Sequence, residues 1–401
     1  MLANYVGLFL ILAEKDNSAN NKTMTETTMQ VAQGQFHVQR FPVEKGNKLR
    51  AWDAADEYLL NDVAAKLALF EHPRVLLIND SFGALAVALH AVQPCSVSDS
   101  FISQQASVAN LALNALPVDA VQLFNSLQLP TGEFDFILIK VPKTLAYLED
   151  ILIRLQSVLK PDTQLIVAGM VKNLPASVWQ TVARLVGRTV PSKAVKKARL
   201  IYAKPDNQRT VPTANLYPVI YQLENTDYQI CNHANVFSHK NLDIGTRFFL
   251  QHLPQDNKYQ QVVDLGCGNG IVGLIFAANN PNAQLHFIDE SFMAVASAKQ
   301  NFEHAFKGRK AIFTDADALT DFAPDCIDLV LCNPPFHQQT AIGDHIAMRM
   351  FNQAKNVLRT GGELWVIGNR HLGYQASLKK YFSSIELVAS NAKFIIVKAT
   401  V

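Results

Sequence analysis

The chain repeats itself, and the repeat limits its fold more than any other feature. An apolar run from Arg74 leads into a turn ending at Gly83, and a second from Gln261 leads into a turn ending at Gly270, an offset of 187 residues. Asp99 and Asp289 each close a further apolar run and stand 190 apart. Phe134–Pro142 and Ile327–Pro335 stand 193 apart, and Leu165–Gly169 and Leu364–Gly368 stand 199 apart. The offset drifts one way in small steps, as it does when strands stay aligned while loops differ in length. Order-preserving similarity of this kind marks a duplicated domain.

Each half alternates short β-branched runs with stretches of helical periodicity, the pattern of strand–helix–strand units on a parallel sheet. The expected fold is α/β, with two tandem Rossmann-like domains. In the second half, strands are expected at Gln261–Leu265, Gln284–Ile288, Lys310–Thr314, Ile327–Cys332, Glu363–Gly368 and Lys393–Lys398. Ala294, Val295, Ala298 and Phe302 share one helix face. Ile346, Met350, Phe351, Ala354, Val357 and Leu358 share another, closed by Thr360, Gly361 and Gly362. Core packing explains both stripes. The break between halves falls near Arg199–Tyr217, where Lys204–Asn215 is polar and turn-rich. Hydrophobic residues at 49% supply two cores and exclude a disordered or low-complexity chain.

Leu2–Ala13 is apolar, but no Lys or Arg precedes it, and it is shorter than the ~20 residues a membrane span needs. With Met24 and Met29 downstream as alternative starts, residues 1–35 are expected to be a tail or an over-long start. The five cysteines, Cys95, Cys231, Cys267, Cys326 and Cys332, form no paired motif. Reduced thiols in a cytoplasmic protein without a metal site are expected. A net charge of +2 means that any nucleic-acid contact must rest on local patches.

The segment Asp264–Gly270 (Asp-Leu-Gly-Cys-Gly-Asn-Gly) ends the first strand of the second half and opens a helix expected over Ile271–Asn279. Gly266, Gly268 and Gly270 let the backbone approach a ligand at the carboxyl edge of the sheet, where open α/β sheets bind ligands. Their spacing differs from the dinucleotide Gly-x-Gly-x-x-Gly. A carboxylate at Asp264 repels a pyrophosphate but suits a cationic amino acid, such as the methionine end of S-adenosyl-L-methionine. Asp289, ending the second strand, is placed for a ribose diol, and Asp317, beyond the third, for an adenine amino proton. Together these positions describe a nucleoside site without phosphates.

The fourth strand ends in Asn333, Pro334, Pro335 and Phe336 beside the same edge. The prolines stiffen the backbone and aim the Pro334 carbonyl into the cleft. An amide oxygen and a fixed carbonyl provide two acceptors for the two hydrogens of an NH2 group. Such a grip turns the amine lone pair out of its ring toward an electrophile, so orientation and fixed dipoles carry the rate. Phe336 is expected to stack on the flat base. The motif suits guanine N2, adenine N6 or a glutamine amide alike. A non-catalytic RNA-binding or assembly protein is the reading of another class, and the intact glycine turn with Asp289 argues against it.

Asp264–Gly270, Asp289 and Asn333–Phe336 resemble the class I S-adenosylmethionine-dependent methyltransferases of exocyclic amines. Over nearly the whole chain beyond the tail, the sequence resembles the bacterial ribosomal RNA (guanine-N2-)-methyltransferases, which fuse a degenerate N-terminal copy to an active one. Leu49–Tyr58, Asn79–Gly83, Lys140–Lys143, Lys196–Arg199, Asn232–Ser238, Leu242–Gly245 and Cys332–His337 carry that resemblance. It implies methyl transfer to N2 of a guanine in 23S, large-subunit ribosomal RNA, protein-free or partly assembled, with the 16S RNA as the rival substrate. The implied division is a degenerate domain over 36–205 that positions RNA and a catalytic domain over 216–401.

Where the second half has Gly266, Gly268 and Asn333-Pro334, the first has Asn79, Ser81 and Lys140-Val141. The first copy is therefore expected to be catalytically empty, with Lys140 and Lys143 placing charge near its former cleft. Lys193, Lys196, Lys197 and Arg199 form the densest basic run and are expected at RNA phosphates. A guanine paired in a stem is inaccessible at N2, so the target is expected to flip out or sit in a loop.

Overall fold

The computed structural model describes residues 26–43, 49–206, 216–335 and 341–401. Most of the expected tail, together with Phe336 and His337, lies outside the described residues. Two seven-stranded sheets account for the two halves. The first runs Gln122–Asn125, Cys95–Ser98, Val75–Ile78, Phe136–Lys140, Gln164–Met170, Ala198–Ala203 and Thr189–Pro191 across its width. The second runs Ile312–Asp315, Gln284–Asp289, Gln261–Leu265, Ile327–Cys332, Leu358–Asn369, Phe394–Thr400 and Ser384–Ser390. Numbered by chain position within each half, both orders are 3-2-1-4-5-7-6, so the duplication holds strand for strand.

Five strands of each sheet are parallel, and helices cover both faces. The central strand Val75–Ile78 is accordingly apolar and buried at every position. The last two strands of each half run antiparallel and form the sheet edge, an arrangement not expected from sequence. Short polar side chains cap four of the helices. Asp53 closes a capping box with Asp56 at helix Ala54–Leu67. Ser100 caps Phe101–Leu113, Asp243 caps Ile244–Leu250, and Ser291 caps Phe292–Ala305.

Several boundaries move. The expected tail gives way at Thr28, because Thr28–Val31 and Gly34–His37 form a hairpin whose Met29 is fully buried in the first core. Arg199 belongs to the strand Ala198–Ala203, not to the break between halves. Helix Ala341–Val357 runs straight into strand Leu358–Asn369, and Gly361, in the left-handed region (φ 77°), sits in an irregular start to that strand. The third and last strands shift to Ile312–Asp315 and Phe394–Thr400. No helix among the described residues is long and apolar enough to cross a membrane.

The halves meet through equivalent segments. Phe101 donates its N–H to the Glu290 carbonyl at 2.8 Å, and Phe292 donates to the Asp99 carbonyl at 3.1 Å. Met293, Ala234 and Val236 bury themselves in the core of the first domain. The segment after each second strand thus pairs with its own repeat.

Candidate active site

The glycine turn is positioned by strand Gln261–Leu265, which is buried on both faces and carries Asp264 beneath the turn. Asp264 is 2% exposed and accepts the Gly273 N–H at 2.8 Å. Burial pushes its carboxyl up to about 8; the Gly273 hydrogen bond opposes the rise and the Asp289 charge adds to it. Gly266, Gly268 and Gly270 all have positive φ, but their surroundings differ. A Cβ on Gly268 would meet nothing within 4 Å, so this residue faces open space. A Cβ on Gly270 would lie 2.7 Å from the Ala298 Cβ, so this glycine serves helix packing. The same need explains why Gly83 survives in the first half, where a Cβ would lie 2.6 Å from the Ser107 Cα.

Asp289 ends the neighbouring strand and accepts the N–H groups of Gly268 at 2.9 Å and Ser291 at 3.0 Å. The turn is also braced from behind by a buried amide network that sequence reasoning missed. Asn301 donates to the Asn269 and Cys231 carbonyls, and Asn269 donates to the Asn232 side chain at 2.9 Å. Asparagines scattered over 70 residues carry no period that would announce such a network.

Strand Ile327–Cys332 delivers Asn333 to the same edge. Its Nδ2 donates to the Thr246 hydroxyl at 3.0 Å, while its buried Oδ1 has no hydrogen-bond partner among the described residues. Pro334 and Pro335 stand beside it. Asp317 reaches the same wall, where Arg349 holds it through contacts of 2.8 and 3.0 Å. Arg349, from a helix read only for its apolar stripe, was missed. A cleft of about 390 Å³ joins Asp264, Gly266, Gly268, Asp289, Asp317 and Asn333, and Ile102 of the first domain lines it too. The cleft thus gathers the expected positions that the structure describes, except Gly270, which stands behind in the packing.

The corresponding turn in the first half carries other side chains, tied into the domain itself: Asn79 Nδ2 donates to the Lys140 carbonyl at 3.0 Å. Asn79 keeps the left-handed backbone of Gly266 (φ 64°), and Asp80 folds inward to accept the Ala86 N–H at 2.9 Å. Lys140 does not supply free charge near a cleft, contrary to expectation. Its ammonium is mostly buried between Asp53 at 2.8 Å and Asp56 at 2.7 Å, whose attraction outweighs burial and raises its pKa. Lys193 and Lys197 are exposed, whereas Lys196 is paired with Glu57 at 2.8 Å.

Comparison with known proteins places this architecture. Residues 26–207 match the family described as the RLMG N-terminal domain, and residues 227–398 match the methyltransferase small domain. The chain is 48% identical over 366 residues to ribosomal RNA large subunit methyltransferase G of Pseudomonas paraeruginosa, covering 91% of this chain and 97% of that one. It is equally identical to the protein of that name from Ectopseudomonas mendocina, covering 90% and 96%. The chain belongs to the ribosomal RNA large subunit methyltransferase G family. Its fold matches that of the T. thermophilus 16S rRNA N2 G1207 methyltransferase, solved with AdoMet and guanosine, at a TM-score of 0.72 and 21% identity. That match covers 93% of this chain and 97% of the other, so both halves of the family fold take part.

The residues present suit S-adenosylmethionine, the cofactor of this family. The space over Gly268 and the two acidic side chains that line the cleft beside it, Asp264 and Asp289, match a cationic nucleoside.

Proposed function

We propose that this chain transfers a methyl group from S-adenosylmethionine to the exocyclic N2 amine of a guanine in large-subunit ribosomal RNA. When bound, the cofactor supplies an electrophilic methyl group on a sulfonium centre. Asp264 and Gly268 would hold its amino-acid end, Asp289 its ribose, and Asp317 with Arg349 the wall beside its base. Asn333 carries the reading: a buried amide whose oxygen is left for a donor from outside the chain. A buried acceptor without a partner costs roughly 1–3 kcal/mol, so its persistence in the cleft favours a ligand N–H. Held by Asn333 Oδ1 and the Pro334 carbonyl, the amine would present its lone pair without a strong base.

The first domain acts in this reading as a platform for RNA, with exposed Lys143, Lys193 and Lys197 contacting phosphates. The substrate is protein-free or partly assembled large-subunit RNA, because a guanine N2 must leave its helix to enter the cleft. Such a substrate places the work in the cytoplasm. The test incubates the chain with radiolabelled S-adenosylmethionine and protein-free large- or small-subunit RNA, then identifies the modified nucleoside by mass spectrometry. N2-methylguanine in the large-subunit RNA is expected. Label only in small-subunit RNA, or on adenine, would overturn the substrate, and failure to bind the cofactor would overturn the enzyme.

A further inference from the structure

Asn333 can serve an amine only with its oxygen facing the cleft. An asparagine amide is nearly symmetric in shape, so packing alone does not choose between its two flips. Here hydrogen bonding chooses. Asp243 caps helix Ile244–Leu250, and its Oδ2 accepts the Thr246 backbone N–H at 2.9 Å and the Thr246 hydroxyl at 3.3 Å. A carboxylate has no proton to give, so the single hydroxyl proton of Thr246 is committed to Asp243. The lone pairs left on Oγ1 can only accept, and the group facing them at 3.0 Å is the Asn333 Nδ2. Flipping the amide would set two oxygens against each other or cost the bond to Asp243. Thr246 is 6% exposed, so water does not readily replace either bond.

The duplication supplies an internal comparison. Asp53 and Asp243 cap the helix that precedes the first strand of each half, three residues ahead of Asp56 and Thr246. Lys140 ends the fourth strand of the first half, where Asn333 follows that of the second. In the empty copy these three positions form the closed ion triad Asp53–Asp56–Lys140. In the other they form a hydrogen-bonded relay, with no cation, that ends in an unused acceptor. One scaffold therefore carries two settings of the same trio.

We infer that Thr246, anchored by Asp243, is a positioning residue that holds the Asn333 amide with Oδ1 toward the acceptor amine. The inference rests on the proposed amine methylation and specifies what sets its geometry. The test compares Thr246→Val, which keeps shape and removes the hydroxyl, with Thr246→Ser, Asn333→Ala and the Thr246→Val/Asn333→Ala double variant. Each full-length chain is assayed for kcat and KM on protein-free large-subunit RNA, S-adenosylmethionine affinity by calorimetry, and melting temperature. Thr246→Val is expected to lower kcat by about 10- to 100-fold, the scale of one lost preorganised contact. Cofactor affinity should stay within about twofold and melting within a few degrees, while Thr246→Ser restores most of the rate. The double variant should be no slower than Asn333→Ala, as for residues acting as one unit. A wild-type kcat in Thr246→Val, beside an inactive Asn333→Ala, would overturn the positioning role and leave the proposed function standing. A parallel loss of cofactor affinity or melting would overturn it in favour of a structural role. An active Asn333→Ala would instead sink the reading of the site itself.

Discussion

Asp99 of the first domain accepts the Ser291 hydroxyl of the second at 2.7 Å, directly beside the residue proposed to hold the cofactor ribose. Asp99 also accepts from Asn235 at 2.7 Å, Ser126 at 2.5 Å and the Met293 N–H at 2.9 Å. It occupies the repeat position of Asp289, so the first copy has turned a cleft carboxylate into a clamp between domains. Asp99→Ala strands four donors, three of them on the second domain and its approach. A loss of about 1–3 kcal/mol is expected, with S-adenosylmethionine binding weakened about tenfold as Ser291 and Asp289 relax. Calorimetry and thermal melting check this. Unchanged cofactor affinity would show that the clamp stops at the junction.

Asp289 and Asn333 share one cleft but should fail differently. Asp289→Ala removes the acceptor for the Gly268 and Ser291 N–H groups and, on the proposed reading, for the ribose. Its main effect should be a cofactor affinity lower by about 10- to 100-fold, at roughly 1.4 kcal/mol per factor of ten. Asn333→Ala should abolish methyl transfer while cofactor affinity stays nearly constant. Equal cofactor losses in both variants would contradict the separate roles.

Much of this was legible in the sequence, for a physical reason. Strands of a parallel sheet are continuous apolar runs, so Gln261–Leu265 and Ile327–Cys332 fall where expected. The chemistry of Asp264–Gly270 and Asn333–Pro335 is local to one turn each. What stayed hidden depends on distant partners. Lys140 reads as surface charge until Asp53 and Asp56, more than 80 residues earlier, enclose it. The bond between Thr246 and Asn333, 87 residues apart, exists only once the fold brings them together. The edge strand Ser384–Ser390 is half exposed and lacks an apolar run to announce it.

The two glycines of the turn make a paired prediction. Gly268→Ala places a methyl in open space at a left-handed position, so strain is modest and the damage falls on ligand approach. Gly270→Ala drives a methyl to within 2.7 Å of Ala298 in the helix packing. The first should weaken cofactor binding with a melting loss of about 1 kcal/mol, the typical left-handed penalty. The second should cost more stability, about 2–3 kcal/mol as overpacking does. Denaturant titration and calorimetry together separate them, and a reversed ranking would refute the division of roles.

Asp264 predicts a pH dependence with a definite sign. Its carboxyl, raised to about 8 by burial, binds a proton more tightly folded than unfolded. The stability this contributes is full below the ordinary carboxylate range and is lost as pH climbs through about 8. Asp264→Asn should therefore flatten the decline of ligand-free stability across that window. A cationic ligand favours the ionised carboxylate, so S-adenosylmethionine binding should release a proton below about pH 8. Calorimetry in buffers of different ionisation enthalpy detects that proton; its absence in the wild-type chain would remove Asp264 from contact with the charged ligand.

Lys140 separates a structural reading from an RNA-binding one. Its ammonium is 12% exposed and joins Asp53, which is half exposed, to Asp56, which is buried. Lys140→Met keeps the length of the side chain but leaves Asp56 as an uncompensated buried carboxylate. Removing one partner of such a pair costs about 3–5 kcal/mol when fully buried, and less here because Asp53 can turn to solvent. Burial already raises the Asp56 pKa, and loss of Lys140 takes away its strongest opposing influence. Acidification should therefore protonate Asp56 and narrow the gap between variant and wild type. Denaturant curves at neutral and mildly acidic pH measure both effects. Cofactor affinity should remain unchanged at native stability, because this triad and the cleft lie in different domains. A variant of wild-type stability with weakened, salt-dependent RNA binding would return Lys140 to the phosphate contacts.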